Sequence, residues 1–405
     1  MTTTREDVGQ KLEARRPSPE EYAARLERVQ AAMAERGWSA LVVIDPANLF
    51  YLTGYDAWSF YTPQCLVVPA EGQPHLFARA MDAAGAGHTS NLPPERIHGY
   101  PELLVHRPDV HPFDDMTATA RDLGLLPSGP ATVAVEGDAH FFSPRGYLAI
   151  QAALPAATLV DSAELVNWVR VVKSPFEIGQ LRIAGQIASN AMRTALESMR
   201  VGRKQCDVVA EIYAAQVTGT PEHGGDYPAI VPMLPTGAAA GIPHLTWSDA
   251  PFVAGEATTV ELAGVYGRYH APLARTISLG EPSQRLASTA DAVGEGMQAA
   301  LGALRPGMTG NDVHARFNEV IQRYGLSKES RIGYSIGIGY PPDWGERTVS
   351  LRAGESTVIA EGMAFHVILG MWMDGWGYEL SEPVVVGADG AERLTDLPQQ
   401  LAIGK

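Results

Sequence analysis

The sequence predicts an α+β protein in two parts: an N-terminal α/β domain, then a larger half with helices outside and antiparallel ribbons inside. Its 405 residues exceed the usual length of one domain, so each part is long enough to bury its own core. Short β-rich runs and helical stretches share the first part, whereas long amphipathic helices and apolar ribbon segments dominate the second. Ser174-Pro175-Phe176-Glu177 opens a long helix as a capping box with proline at the first helical position. The domain boundary is therefore expected just ahead of it, near Asp161. That gives a polar tail at residues 1–16 and domains at 17–161 and 162–405.

The first helix starts at Ser18-Pro19-Glu20-Glu21, an N-cap, a proline and two acids, with Tyr22, Leu26, Val29 and Met33 following at helical spacing. Gly37 ends it. Ala40 to Ile44 reads as a strand, followed by Asp45-Pro46-Ala47-Asn48 and an aromatic run from Tyr51 to Tyr61. Cys65 to Val68 and Pro74 to Phe77 flank Gly72 as hairpin arms, and Thr132 to Glu136 and Thr158 to Val160 are further short strands. In the second part the helix after Ser174 carries Ile178, Leu181, Met192, Leu196 and Met199 on one face. Leu286, Val293, Met297, Leu301 and Leu304 mark another helix, and Val313, Phe317, Val320 and Tyr324 a third, with stops at Gly307 and Gly325. Strands are expected at Thr258 to Ala263, Arg275 to Leu279, Ala364 to Leu369 and Glu382 to Val386.

Composition narrows the function before any motif does. A hydrophobic fraction of 45% with 8% aromatics fits an ordinary globular protein. No apolar run approaches the roughly 18 residues of a membrane span. Met1-Thr2-Thr3-Thr4-Arg5 is not followed by the apolar stretch of a secretory signal, so a cytoplasmic protein with no membrane partner is expected. A formal net charge of −15, without any basic run, argues against a nucleic-acid partner. Cys65 and Cys206 have no C-x-x-C setting and read as buried thiols.

Five runs carry a resemblance along nearly the whole chain: Leu41 to Tyr55, Val171 to Glu177, Pro243-His244, the ribbon Val260 to Thr276, and Glu361 to Phe365. In this order they resemble the creatinase/aminopeptidase-P family. The resemblance implies a creatinase-type N-terminal domain and a pita-bread catalytic domain. It also implies a homodimer in which one subunit's N-terminal domain reaches the other's active site. Metallopeptidases of this family hold two metals through two Asp, one His and two Glu. That pattern falls here on Glu261, Pro272, Tyr334, Ile368 and Ser381, the last slipping onto Glu382 if the register moves by one. Only Glu261 keeps an oxygen ligand, which is too few for a dinuclear site, so no metal or other cofactor is expected. His270, His366 and Glu379 each lie two residues before a lost ligand and form the alternative, a displaced mononuclear site. Against it, neighbouring antiparallel strands run oppositely, so equal offsets move side chains apart.

A pocket that has lost its cations and kept Glu261, with Glu379 and Glu382 facing His244, attracts an amidinium or guanidinium, whose paired N–H donors fit a carboxylate bidentately. A bound dication would repel such a ligand, at about 4 kcal/mol per unit charge for a separation of roughly 4 Å and an effective dielectric near 20. Gly224 to Pro228, Val260 to Gly264, Arg268 to His270, Pro272 to Thr276, Tyr340 to Glu346 and Gly370 to Met373 are similar to the metal-free branch that opens the cyclic amidine of ectoine. The resemblance then implies a small zwitterionic substrate. Glu261 is expected to attack the amidine carbon or to orient water onto it, while His244 shuttles the proton. Glu382, with Glu379, would hold the nitrogens, and Arg331 or Arg268 the substrate carboxylate. Trp344, Tyr340 or Tyr334 would cover the ring face. Trp58 or Tyr61 would close the pocket across the dimer. Three other readings stay open: a creatinase-like enzyme acting on a linear guanidino acid, an Xaa-Pro peptidase with a displaced metal, and a binding module without catalysis.

Overall fold

The computed structural model describes residues 15–404, so the expected tail lies, up to residue 14, outside the described residues. The chain divides into two compact units between Arg170 and Val171. The stretch from Ser162 to Arg170, placed by the sequence in the second domain, packs with the first: Asn48 Nδ2 donates to Asn167 Oδ1 at 2.7 Å.

The first unit runs α1 (Pro19–Glu35), β1 (Ala40–Val43), α2 (Pro46–Thr53), β2 (Cys65–Pro69), β3 (His75–Arg79), α3 (Ala80–Thr89), β4 (Ile97–Tyr100), α4 (Pro112–Asp122), β5 (Thr132–Val135), α5 (Pro144–Ala153), β6 (Thr158–Asp161) and α6 (Leu165–Val169). Its sheet has the order β4-β3-β2-β1-β5-β6, antiparallel where β2 pairs with β1 and β3, and parallel elsewhere. Ser18 caps α1 as its sequence demands, accepting from Glu21 N at 3.2 Å. Asp45 caps α2 by accepting from Ala47 N at 2.8 Å, and Gly54 ends α2 in the left-handed region at φ 72°.

The second unit contains α7 (Pro175–Ser198), α8 (Gln205–Thr218), β7 (Ala257–Tyr266), β8 (Tyr269–Leu279), α9 (Gln284–Ala303), α10 (Gly310–Arg323), β9 (Gly333–Tyr340), β10 (Asp343–Ser350), β11 (Ala364–Met373), β12 (Trp376–Gly387), β13 (Gly390–Arg393) and β14 (Ala402–Gly404). The path β13-β12-β11-β9-β8-β14 is extended by β10 on β9 and by β7 on β8. The capping box forms: Ser174 N donates to Glu177 Oε2 at 3.0 Å and Glu177 N to Ser174 Oγ at 3.4 Å. One apolar cluster joins α7 and α8 to β7 and β8, and another joins α9 and α10 to β11 and β12.

Two glycine features position the ribbon β7–β8. The turn between its strands is two residues, Gly267 and Arg268, both at positive φ (54° and 65°), as a hairpin turn matched to strand twist requires. Gly264 lets α7 approach, because a Cβ there would stand 2.1 Å from Ala184 O and 2.3 Å from Ala188 N. Gly264→Ala is therefore expected to cost at least the upper part of the ~1–3 kcal/mol typical of overpacking, since backbone and not a movable side chain blocks the methyl. Chemical denaturation would measure it, and an unchanged midpoint would refute the close-approach account.

Strands β9 and β10 were not anticipated. The run Gly333-Tyr334-Ser335-Ile336-Gly337-Ile338-Gly339 is poor in the branched residues that announce a strand. Its glycines answer to neighbours: a Cβ at Gly337 would meet Glu346 Oε1 at 2.3 Å, and one at Gly339 would meet Trp344 Cα at 2.9 Å.

Candidate active site

A cavity of about 480 Å³ opens in the second unit between side chains of β7, β9, β10, β11 and β12 and the loops that precede β7 and β9. Glu261 enters it from the middle of β7. Its strand is held on both edges, by Ala274 of β8 and by paired backbone hydrogen bonds with Met233 (2.9 and 3.0 Å), so its side-chain direction is fixed. The side chain is buried, and among the described residues none donates a hydrogen bond to its carboxylate. Burial pushes its pKa up to about 7.

Glu379 enters from β12, where Thr276 Oγ1 fixes its backbone by accepting from its N–H (2.8 Å) and donating to its carbonyl (2.9 Å). Its Oε1 is buried without a partner. Burial first, and then the charge of Glu261, push its pKa well above the usual range, opposed by Lys328. Two acids in one buried cavity ionise in turn, so Glu261 ionises near neutrality while Glu379 keeps its proton.

Two cationic side chains and a histidine stand around the same cavity. Lys328 Nζ donates to Gly370 O at 2.6 Å and to Ser330 Oγ at 2.9 Å, leaving one of its three donors for a ligand. Burial brings Lys328 down to about 8. Arg331 is exposed at the rim with its guanidinium carbon 4.4 Å from the Tyr334 ring centroid. His244, also exposed, follows the short 3-10 turn Gly237–Gly241 and holds a left-handed backbone at φ 65°. For a non-glycine residue that conformation costs about 1–2 kcal/mol.

The aromatic wall is built from Trp344, Trp372 and Tyr334. Trp344 Nε1 donates to Tyr334 Oη at 2.8 Å. His366 Nδ1 lies 3.0 Å from the same oxygen, and its Nε2 lies 2.6 Å from Ser381 Oγ. Burial pushes the Tyr334 phenol well up, aided by the charge of Glu261, and burial pushes His366 down to about 3.

Of the residues expected from the sequence, His244, Glu261, Glu379, Arg331, Tyr334 and Trp344 line this one cavity. Glu382 does not. It points away from Glu379 by strand alternation, accepting from Arg275 Nη2 (2.5 Å), Arg393 Nη2 (3.1 Å) and Thr395 Oγ1 (2.5 Å). Arg268 is buried as a clamp of its own hairpin, donating to Tyr227 O and Gly339 O at 2.9 Å each, with its guanidinium between the rings of Tyr227 and Tyr340. Tyr340 serves that stack and not the cavity wall. Trp58 and Tyr61 lie in the first unit on the 3-10 turn Trp58–Tyr61, both exposed. Glu346, at the end of the run Tyr340 to Glu346, is buried against Lys173 Nζ at 2.5 Å.

Lys328, Asp343 and Trp372 line the cavity without having been singled out for it. Lys328 sits in the polar run Ser327-Lys328-Glu329-Ser330, which has the look of any solvated loop. Trp372 lies in the apolar run Met371-Trp372-Met373, a pattern that suits a core strand. It shares a strand face with Gly370, and the pairing of β11 with β12 sets Gly370 opposite Glu379 and Trp372 opposite Gly377 near the end of the ribbon.

The positions that resemble a dinuclear metal centre converge here only in part. Glu261, Tyr334 and Ile368 line the cavity, Pro272 is apolar, and Ser381 is engaged with His366. Of these positions only Glu261 offers a carboxylate to the cavity, and one carboxylate with the Tyr334 phenol is a poor donor set for hard cations. Among the described residues no group of three or more His, Cys, Asp or Glu is placed to hold a metal ion. The displaced trio fails for a geometric reason: His270 turns to Ala229 N (2.9 Å) and Arg268 O (2.8 Å), and His366 to Tyr334 and Ser381.

An α/β domain followed by helices around long antiparallel ribbons is the architecture of a creatinase-type N-terminal domain joined to a pita-bread domain. The chain belongs to metallopeptidase family M24, whose description matches residues 179–388, and residues 25–172 match the creatinase/prolidase N-terminal domain. It is 43% identical over 393 residues to ectoine hydrolase from Halomonas elongata, covering 95% of this chain and 97% of that one. A probable dipeptidase PepE from Mycobacterium tuberculosis is 29% identical over 395 residues, covering 96% and 98%. The crystal structure of dipeptidase PepE from Mycobacterium ulcerans superposes with a TM-score of 0.80 at 26% identity, covering 96% of this chain and 99% of the other. Among the described residues no helix is long and apolar enough to cross a membrane.

Proposed function

We propose that this protein hydrolyses the cyclic amidine of ectoine to N-acetyl-2,4-diaminobutyrate without a metal ion. The observation that carries the reading is the pair Glu261 and Glu379: two buried carboxyl groups with, among the described residues, no counter-cation on Glu261 and an orphaned oxygen on Glu379. Such groups are costly to keep unless a ligand completes them. An amidinium supplies both the positive charge and the N–H donors, while Lys328 and Arg331 answer the substrate carboxylate. The 43% identity to an ectoine hydrolase supports the same substrate.

In this reading water adds through its oxygen to the amidinium carbon, and Glu261 takes the water's proton. The proton passes by way of His244 to the ring nitrogen, whose bond to that carbon breaks. The remaining hydroxyl proton leaves with the departing amine, which becomes an ammonium as the amide carbonyl forms. Trp344 and Trp372 cover the flat face of the ring. A second subunit bringing Trp58 or Tyr61 to the pocket, and a cytoplasmic location, belong to the same proposal.

The test is hydrolysis of ectoine, creatine and an Xaa-Pro dipeptide by protein purified in excess chelator, followed by NMR. Ectoine consumption with appearance of the acetyl product is the expected result. Urea released from creatine would move the activity to linear guanidino acids. Dipeptide cleavage only after addition of manganese would overturn the proposal.

A further inference from the structure

Beyond binding the ring, Tyr334 has a proton whose direction can be deduced. Its oxygen meets two nitrogens, Trp344 Nε1 at 2.8 Å and His366 Nδ1 at 3.0 Å. The indole nitrogen can only donate. His366 can donate from one ring nitrogen, and which one is decided at its other end. Ser381 Oγ, fully buried, accepts from Ala274 N at 2.6 Å and lies 2.6 Å from His366 Nε2. Among the described residues His366 Nε2 is the one acceptor within reach of the Ser381 hydroxyl proton. If Nε2 carried the ring proton, that hydroxyl would be a buried donor without an acceptor, at a cost of about 1–3 kcal/mol. Nε2 therefore accepts, Nδ1 carries the proton, and Tyr334 Oη receives hydrogen bonds from both His366 and Trp344. With both directions toward its neighbours taken by incoming donors, the phenol's own hydrogen points into the cavity that Tyr334 lines.

We propose that Tyr334 is a hydrogen-bond donor to the oxygen that joins the amidine carbon, and that the chain Ala274 N–H, Ser381, His366 exists to turn its hydroxyl that way. The role in turnover rests on the hydrolase reading, whereas the direction of the proton does not. A donor set in place by fixed neighbours needs no reorganisation as charge develops on that oxygen. Burial keeps both groups from titrating in the working range, with His366 down at about 3 and the Tyr334 phenol raised well above its usual value, so the donor persists from acid to alkaline pH.

Neutron diffraction from deuterium-exchanged crystals of the ligand-free protein reads the first half directly. Deuterium on His366 Nδ1, none on Nε2, and the Tyr334 deuteron directed at the cavity is the expected pattern. Deuterium on Nε2 with the Tyr334 deuteron on His366 would overturn the proposal. For the second half, Tyr334→Phe should lower kcat on ectoine about 10²-fold with KM within a factor of a few, and leave the pH dependence of kcat/KM unmoved. A rise in KM of about 10²-fold with kcat preserved would reduce Tyr334 to a binding group and refute the donor role. If the wild type turns over no ectoine, the hydrolase reading falls, while the neutron result still decides the donor.

Discussion

Glu261→Gln is expected to lower kcat on ectoine by about 10⁴, the upper end of what a positioned general base supplies. The reason lies in the order in which the two acids ionise. Glu379 feels burial and then the Glu261 charge, so it keeps its proton near neutrality and has no vacant site to accept one from water. Removing Glu261 therefore removes the group that takes the water's proton, and burial, the larger cause, still holds Glu379 protonated. The same reasoning fixes the pH profile. Wild-type kcat/KM should fall tenfold per pH unit below about 7, where Glu261 takes up its proton, and Glu379→Gln should keep that limb because it mimics an acid already protonated. Stability should move the opposite way. A carboxyl group whose folded pKa is raised binds its proton in the native state when the unfolded chain has lost it. Its contribution is full at pH values below the usual carboxylate pKa and is lost as the pH rises to about 7. Glu261→Gln removes that dependence, so the inactive variant should be more stable than wild type at pH 8, by an amount on the order of 3 kcal/mol, and no more stable at pH 4. Kinetics from pH 5.5 to 9 and denaturation at the two pH values measure both. A variant within tenfold of wild type would remove Glu261 from the chemistry.

The parts of this molecule legible in the sequence were those decided locally. Ser18 and Ser174 cap the helices they announce, because capping depends only on the next three residues. Glu261 reached the cavity because an acid in an apolar strand must be completed by something, wherever the strand goes. What stayed hidden was decided by partners remote in sequence. Arg268, expected as one of two arginines for the substrate carboxylate, is instead taken up by the Tyr227 and Gly339 carbonyls, 41 and 71 residues away. Tyr334 and Tyr340 share a strand and a face by parity, yet six residues of strand span about 20 Å, enough to carry Tyr340 past the pocket to the Arg268 stack. Lys328 gained its role from Gly370 O, which no pattern around it forecasts.

Glu382 separates the two kinds of information most sharply, and Glu382→Gln tests them. The resemblance allowed the last ligand position to be Ser381 or, after a slip of one, Glu382. In a strand one residue is the difference between faces. The pairing Ile368↔Ser381 and Val367↔Glu382 settles the register, with Glu379 and Ser381 on one side of β12 and Glu382 on the other. There it is fully buried and compensates Arg275, whose guanidinium is itself buried and also donates to the carbonyls of Pro398, Ala274 and Ser381. A neutral amide cannot offset that charge, and Arg275 cannot shed its proton to escape. Glu382→Gln is therefore expected to cost about 3–5 kcal/mol, the loss seen when one member of a buried ion pair is removed, out of a total that is typically 5–15 kcal/mol. A catalytic Glu382 would behave otherwise: the variant would unfold at the wild-type denaturant midpoint and lose kcat alone. The midpoint of denaturation, read beside the kcat of whatever fraction remains folded, distinguishes a carboxylate that holds the β8–β12 junction from one that works on the substrate.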